Sequence, residues 1–189
     1  GDPQADAMTR RVFDDFLAAV EQVHERNGVL RPAGVSTFGR EMDWRLQRGA
    51  TPAGHHAGDI LATNFSPSPG RDRQGPTAVI ASHCAMNLVR LPNGTALEIK
   101  LHPSAVQGDE GIESLVGLLK TFINLGGIFM HIDVIDNTIL RDAQEHPDRY
   151  PALAVRVSGW SARFVTLSKD WQEMIINRST QVDVPERGR

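Results

Sequence analysis

The ten residues Val155-Arg156-Val157-Ser158-Gly159-Trp160-Ser161-Ala162-Arg163-Phe164 lie between two short predicted elements and decide how the chain is interpreted. Before their centre, residues 153–157 (Leu-Ala-Val-Arg-Val) predict a short strand. After them, Ser168 can cap a helix over residues 169–177. Glycine is a common turn residue, so Ser-Gly-Trp-Ser taken alone favours an ordinary connection from strand to helix.

Outward from this stretch, the sequence predicts a mixture of helices and strands. Helices are predicted over residues 5–25, 77–89, 109–125 (capped by Asp109) and 138–146, and strands over residues 95–102 and 128–135, with one buried face in the first strand. Residues 27–75 carry many glycines and prolines with little regular period, which predicts a long ordered loop system. Loops of that length are uncommon in compact domains unless they are functional or packed against something else. The predicted fold class is α/β.

Composition narrows the class of protein. The 189 residues, 40% of them hydrophobic, suffice for one domain with a sizeable core. A net charge of −3 predicts no general attraction to nucleic acid or to an anionic membrane, and no apolar run is long enough to cross a bilayer. We therefore expect a cytoplasmic protein with neither partner. The chain begins Gly1-Asp2-Pro3 without an initiator Met or an export signal, which suggests a piece of a longer protein.

Three local features of the sequence do not meet the requirements of a chemical site. A single cysteine, Cys84, excludes an internal disulfide framework and a CxxC metal site, and its helical position favours a small buried hydrophobe. The adjacent His55 and His56, with Asp59 nearby, follow no metal-ligand spacing. Residues 70–75 lack the preceding strand and the lysine of a phosphate loop. No bound metal or cofactor is predicted.

Residues 155–164 resemble the signature of the glycyl radical enzymes, the pyruvate formate-lyase-like family, with Trp160 where the common pattern has Tyr. The resemblance covers nearly the whole chain. It includes the Asp2-Pro3 opening, an Ala-Thr-Pro-x-Gly loop at residues 50–54, a Ser-Pro…Gly-Pro-Thr-Ala segment at 66–78 and the run from His131 to Pro147. Agreement at so many ordered points makes a coincidental turn motif, and hence a plain binding domain, the weaker hypothesis.

The resemblance implies that Gly159 stores an unpaired electron. A radical at Cα is stabilised when the adjoining amide nitrogen donates, and the carbonyl withdraws, electron density within one plane, and a side chain opposes that planarity. The supporting loop residues would be Val157, Ser158, Trp160 and Ser161. We expect Val157, Trp160 and Phe164 to form a dry pocket, and Ser158 and Arg163 to anchor the loop. The residues that would face a substrate are Ser66, Ser68, Arg71 and Asp72.

The resemblance also implies a reaction and partners. In the family, the glycyl radical takes hydrogen from a cysteine on a second loop, and the resulting thiyl radical attacks a small metabolite. Cys84 lies 75 residues before Gly159 in a stretch that does not correspond to that loop, so the thiyl role is not assigned to it. The radical would be installed by a radical S-adenosylmethionine activating enzyme. The thiyl cysteine would lie in an upstream remainder of the lyase, and the complete enzyme, which serves anaerobic metabolism, would be a homodimer.

The implied architecture is the C-terminal part of an α/β barrel that carries the glycine loop. Residues 1–75 would be a barrel-derived helix and loop region, and residues 76–189 the glycine radical domain. The implied function is the radical-bearing portion of a lyase resembling formate acetyltransferases, dehydratases or decarboxylases, inactive alone without the thiyl loop. The alternative is a stand-alone spare-part protein that restores the radical of a damaged lyase. Absence of the thiyl loop favours the spare part, whereas likeness beyond the signature favours the lyase.

Overall fold

The computed structural model describes residues 1–23, 25–26, 29–30, 32–178 and 180–181, which form mixed helices and strands. The helices are α1 (Pro3–Glu21), α2 (Arg40–Trp44), α3 (Pro76–Cys84), α4 (Gly108–Asn124), α5 (Asn137–Glu145) and α6 (Lys169–Asn177). The strands are β1 (Glu25–Arg26), β2 (Val29–Leu30), β3 (Ala96–Leu101), β4 (Phe129–Val134), β5 (Ala154–Arg156), β6 (Ser161–Arg163) and β7 (Thr180–Gln181). Mixed α/β content is therefore confirmed. Within the described part of the chain, no helix combines the length and apolar character needed to cross a bilayer.

The central sheet places β3 between β4 and β7, and both neighbours run parallel to it. Parallel strands need a crossover, and α4 supplies it between β3 and β4. Leu97, Ile99 and Leu101 pack with α3 and α4 in one core cluster. Because side chains alternate along a strand, Glu98 and Lys100 point to the other face. Lys100 is 4% exposed there, so the prediction of a single buried face was incomplete.

The glycine-bearing stretch forms a β-hairpin, which the sequence did not predict. β5 and β6 pair antiparallel, with Ala154 opposite Arg163 and Arg156 opposite Ser161. The second strand, Ser-Ala-Arg, carries no β-branched or aromatic residue, so its propensity gave no signal. Packing stabilises the hairpin instead, because Val155, Val157 and Phe164 are buried in one core cluster with α5 and α6.

Several predicted boundaries shift. α1 starts before residue 5 and ends at Glu21. α3 ends at Cys84 instead of residue 89, and Asn87 beyond it has a φ of +51°, a left-handed conformation that does not continue a helix. Asp109 does not cap α4, because Gln107 occupies the cap and Asp109 lies in the first turn. There its negative charge still interacts favourably with the positive end of the helix dipole.

The predicted loop system is largely irregular over residues 32–75, apart from α2. It is nevertheless fixed to the sheet. Buried Asn64 accepts hydrogen bonds from Ser36 Oγ and from the Thr37 amide, both at 2.9 Å, and its side-chain nitrogen donates to Glu98 Oε1 at 2.8 Å. The loop therefore brings its residues over the same face of β3 that carries Glu98 and Lys100.

Candidate functional site

Gly159 lies at the tip of the β5–β6 hairpin and is exposed. The Val157 amide donates to the Trp160 carbonyl at 2.8 Å, which leaves Ser158 and Gly159 as the two loop residues. Gly159 has a φ of +87°, a conformation that glycine adopts readily and other residues rarely do. A Cβ built there would meet no described atom within 4 Å. The conformation, not crowding, is therefore what requires glycine at this position.

The residues expected to support the loop fall into two groups. Val157 and Ser158 are 0% and 1% exposed, so the chain is packed up to the residue before Gly159. Trp160 is 44% exposed, with its ring edge-on to Trp171 at a centroid distance of 6.4 Å, and Ser161 is exposed. The dry pocket expected from Val157, Trp160 and Phe164 is not closed around Gly159 by the described residues.

Ser158 is anchored by a charged residue distant in sequence. Its hydroxyl donates to Glu41 Oε1 at 3.1 Å, and Glu41 is 1% exposed. Glu41 lies on α2, whose N-cap Gly39 has a φ of +83° and lies directly against the ring of Trp171. Ser158 was expected to anchor the loop by a hydrogen bond; the structure gives its hydroxyl the acceptor Glu41, which the sequence did not identify.

Two arginines donate hydrogen bonds to carbonyls of the hairpin. Arg156 donates from one guanidinium nitrogen to the Gly159 carbonyl at 2.8 Å. Arg178, just after α6, donates to the Arg156 carbonyl at 3.1 Å and to the Val157 carbonyl at 3.4 Å. The anchoring arginines are thus Arg156 and Arg178, whereas Arg163, expected in that role, is exposed.

Arg178 also connects the hairpin to a charged cavity over β3. Its guanidinium lies 3.2 Å from Glu98 Oε2 and 3.8 Å from Asp133 Oδ2. Burial raises the pKa of Glu98, against the opposing effect of the Arg178 charge. Burial, followed by the neighbouring Arg178, lowers the pKa of Lys100 to about 8.

Lys100 ties the sheet to the last helix. Its ammonium donates to the carbonyls of Ile175 and Ile176, both at 3.1 Å, and to Asn137 Oδ1 at 2.9 Å. A cation at the C-terminal end of a helix satisfies carbonyls that lack intrahelical partners and interacts favourably with the helix dipole. The position of α6, and with it Arg178, therefore depends on a strand residue.

The four residues expected to face a substrate are not gathered together. Ser66 and Asp72 line the cavity over β3, which has a volume of about 60 Å³. The Ser66 hydroxyl accepts from the Glu98 amide at 2.9 Å. Ser68 and Arg71 lie outside this lining, and the Arg71 guanidinium donates to the Ala53 carbonyl at 2.8 Å. All four residues lie on the same loop, but only Ser66 and Asp72 reach the cavity.

Cys84 is half-buried at the end of α3, in contact with two core clusters, and burial raises the pKa of its thiol. A raised thiol pKa disfavours the reactive thiolate.

His56 pairs locally with Asp59 at 3.5 Å, and no group of three potential metal ligands occurs among the described residues.

Comparison with known proteins gives a consistent result. A family model described as "Glycine radical" matches residues 61–165, which include the hairpin and the cavity loops. A probable dehydratase of Escherichia coli (strain K12), YbiW, is 33% identical over 185 residues, a match that covers 94% of this chain and 23% of the relative.

Solved structures agree with the sequence comparison. A structure concerned with 1,2-propanediol dehydration in Roseburia inulinivorans superimposes with a TM-score of 0.88 at 34% identity, covering 95% of this chain and 23% of that one. Hydroxyproline dehydratase of Clostridioides difficile gives a TM-score of 0.88 at 30% identity, covering 96% and 23%. The chain thus spans less than a quarter of the length of these proteins.

Proposed function

This chain belongs to the glycyl radical enzymes, and we propose that Gly159 is the residue on which it stores the unpaired electron. The observation that carries the proposal is the position of Gly159 at an exposed hairpin tip with a φ of +87°, within the segment that the "Glycine radical" model matches. An exposed tip can be approached by an activating enzyme and afterwards by a thiol.

The surrounding contacts support the same role. The peptide groups on the two sides of Gly159 belong to residues with polar anchors, Ser158 on Glu41 and the Gly159 carbonyl on Arg156. A delocalised radical at Cα requires these two peptide groups to share a plane. The buried anchor on Ser158 holds the amino-side group, while the long Arg156 side chain can keep its hydrogen bond as the other group turns into that plane.

In the wider proposal, this chain is the radical-bearing part of a lyase. The complete lyase cleaves a carbon–carbon or carbon–heteroatom bond of a small metabolite. The names of the relatives given above all refer to dehydratases or to dehydration. A further relative, isethionate sulfite-lyase of Desulfovibrio desulfuricans, is 40% identical over 137 residues. A thiyl cysteine would come from an upstream remainder of the enzyme. A radical S-adenosylmethionine enzyme would abstract hydrogen from Gly159.

Exposed apolar side chains on two helices could contact the upstream remainder of the enzyme or a second subunit of a homodimer. The outer face of α4 presents Ile112, Val116, Leu119 and Ile123, each at least 40% exposed. α1 likewise exposes Met8, Val12 and Phe16. Contiguous apolar patches of this kind usually contact another protein surface. In this proposal residues 1–75 belong to an enclosing α/β barrel and residues 76–189 form the radical domain.

A spare-part protein is the second candidate, favoured by the chemistry of the single thiol. Cys84 is half-buried at the end of α3, and burial raises its pKa. Adding the anaerobically activated 189-residue chain to a lyase whose own glycine site has been cleaved by oxygen separates the candidates. Recovery of lyase activity supports the spare part, whereas no recovery and no turnover by the chain alone support the radical-bearing part of a lyase.

The test of the radical site itself is electron paramagnetic resonance after anaerobic activation. We expect a doublet from the single remaining α-hydrogen, which should collapse when glycine is supplied with deuterium at Cα. A signal that is unaffected by labelled glycine, or that persists after Gly159→Ala, would place the electron on another residue.

A further inference from the structure

The structure contains a buried carboxylate beside the hairpin tip whose presence the fold does not explain. Glu41 is 1% exposed, and its Oε1 accepts the 3.1 Å hydrogen bond from Ser158. Its Oε2 is buried without a hydrogen-bond partner among the residues that the structure describes. Burying a carboxyl group with so few partners is costly, so a residue that serves packing alone would be apolar here.

The location of Glu41 relates it to the glycine. Ser158 contributes the carbonyl carbon of the peptide group on the amino side of Gly159, and it is 1% exposed. On the carboxyl side, the Gly159 carbonyl is bound by the guanidinium of Arg156, in an exposed setting. One peptide group therefore adjoins a buried, anchored residue, while the other lies at the surface beside a long side chain that can follow its movement.

This asymmetry matters for a planar radical. In the closed-shell chain, a φ of +87° sets the peptide planes on the two sides of Gly159 far from coplanar. Loss of the α-hydrogen favours one plane, so at least one peptide group must rotate. The buried anchor on Ser158 resists rotation on the amino side, so the exposed carbonyl group is the one that turns.

We propose that Glu41 is a positioning residue that, through Ser158, fixes the amino-side peptide group of Gly159 and thereby sets the geometry of the stored radical. This inference rests on the proposed function of Gly159. The support of Glu41 is itself built into the fold. Gly39 begins α2 with the Trp171 ring where a Cβ would lie, and Met42 of the same helix packs in the core cluster that holds Val157.

The test uses the complete gene product, activated anaerobically, with four variants compared by electron paramagnetic resonance. Glu41→Leu and Ser158→Ala remove the hydrogen bond from opposite ends. Glu41→Gln retains an oxygen acceptor and is the conservative rescue. Gln172→Leu is the matched control, because it removes a buried polar group of the same region that binds the Phe164 and Leu167 carbonyls instead of the tip.

We expect Glu41→Leu and Ser158→Ala to change the α-hydrogen splitting and to shorten the lifetime of the doublet under anaerobic conditions by about tenfold, the order expected for one buried hydrogen bond. Glu41→Gln should keep the parental splitting and lifetime. Gln172→Leu should lower the unfolding midpoint without altering the splitting.

The outcomes separate the two proposals. A parental doublet that vanishes in Gly159→Ala, together with an unchanged splitting and lifetime in Ser158→Ala, would overturn the role of Glu41 while leaving the radical on Gly159. A doublet that survives in Gly159→Ala would overturn the proposed function itself. If Glu41→Leu fails to fold, Ser158→Ala alone decides, because it removes one hydroxyl and leaves α2 intact.

Discussion

Replacement of Gly159 by alanine should separate the conformational need for glycine from its chemical need. The added methyl group would meet no described atom within 4 Å, so it creates no clash. The cost is the strain of holding an L-residue at a φ of +87°, about 1–2 kcal/mol. For a chain of this size such a loss lowers the unfolding midpoint by about 2–8 °C. The Gly159→Ala protein should therefore fold.

The same substitution should abolish the radical chemistry altogether. The methyl group hinders the planar arrangement that delocalises the electron, so the electron paramagnetic resonance doublet should disappear. If Gly159 of the parental protein carries the radical, dioxygen should add to its Cα and the main chain should break there. After activation and exposure to air, mass spectrometry should find a C-terminal piece that begins beside Trp160 and carries about 30 residues of this sequence. Gly159→Ala should give no such piece.

Gly126→Ala is the matched control. Gly126 has a φ of +80° with equally open space around its Cα, so its stability loss should be similar. It lies beyond the end of α4, which packs in a different core cluster from the hairpin, and should leave the doublet and the cut unchanged. If Gly159→Ala still fragments at this position, or if Gly126→Ala loses the radical to the same extent, the assignment of the electron to Gly159 is refuted.

Three further outcomes follow from the buried charges and the thiol. Because the folded protein lowers the pKa of Lys100 to about 8 from 10.5, the unfolded chain binds more protons between those values. The stability of the parental protein should therefore rise with pH across that window relative to Lys100→Met, and parallel urea-unfolding profiles would contradict this. Arg178→Met should cost about 3 kcal/mol in urea unfolding because it leaves Glu98 buried without its cation, and adding Glu98→Gln should recover part of the loss. Cys84→Ser should change neither the radical doublet nor the oxygen cut, whereas loss of either would give the thiol a role in the radical site.

The secondary structure was predictable where local periodicity agreed with burial. The crossover helix α4 and strands β3 and β4 were identified because their apolar residues recur at helical or strand spacing and then pack on one another. Strand β6 was missed because three residues, Ser161 to Arg163, carry no such pattern. Their pairing with β5 is stabilised by burial of Val155, Val157 and Phe164 against α5 and α6, which is a tertiary contact.

The site was predictable in part for a related reason. A motif of adjacent residues around Gly159 is visible in the sequence, and hydrogen bonding of Ser158 could be inferred from its chemistry. The partners Glu41 and Arg178 carry no local signal, since one lies on a five-residue helix within a glycine-rich loop and the other follows the last helix. Among the substrate-facing candidates, sequence proximity did not distinguish Ser66, which reaches the cavity, from Ser68, which does not.

The family and the α/β class follow from the order of residues, as does the proposal that Gly159 carries the radical, because motifs and periodicities are properties of neighbours along the chain. The environment of that glycine does not. Gly159 is left-handed, and the buried Glu41 carboxylate binds the Ser158 hydroxyl from 117 residues earlier in the chain. Arg178 is shared by the hairpin and the cavity. These arrangements arise because α2 and α6 pack in the core cluster of the hairpin and Lys100 of β3 binds carbonyls of α6. Only folding brings these distant groups within hydrogen-bond distance, and no local pattern specifies which of many buried polar residues will meet.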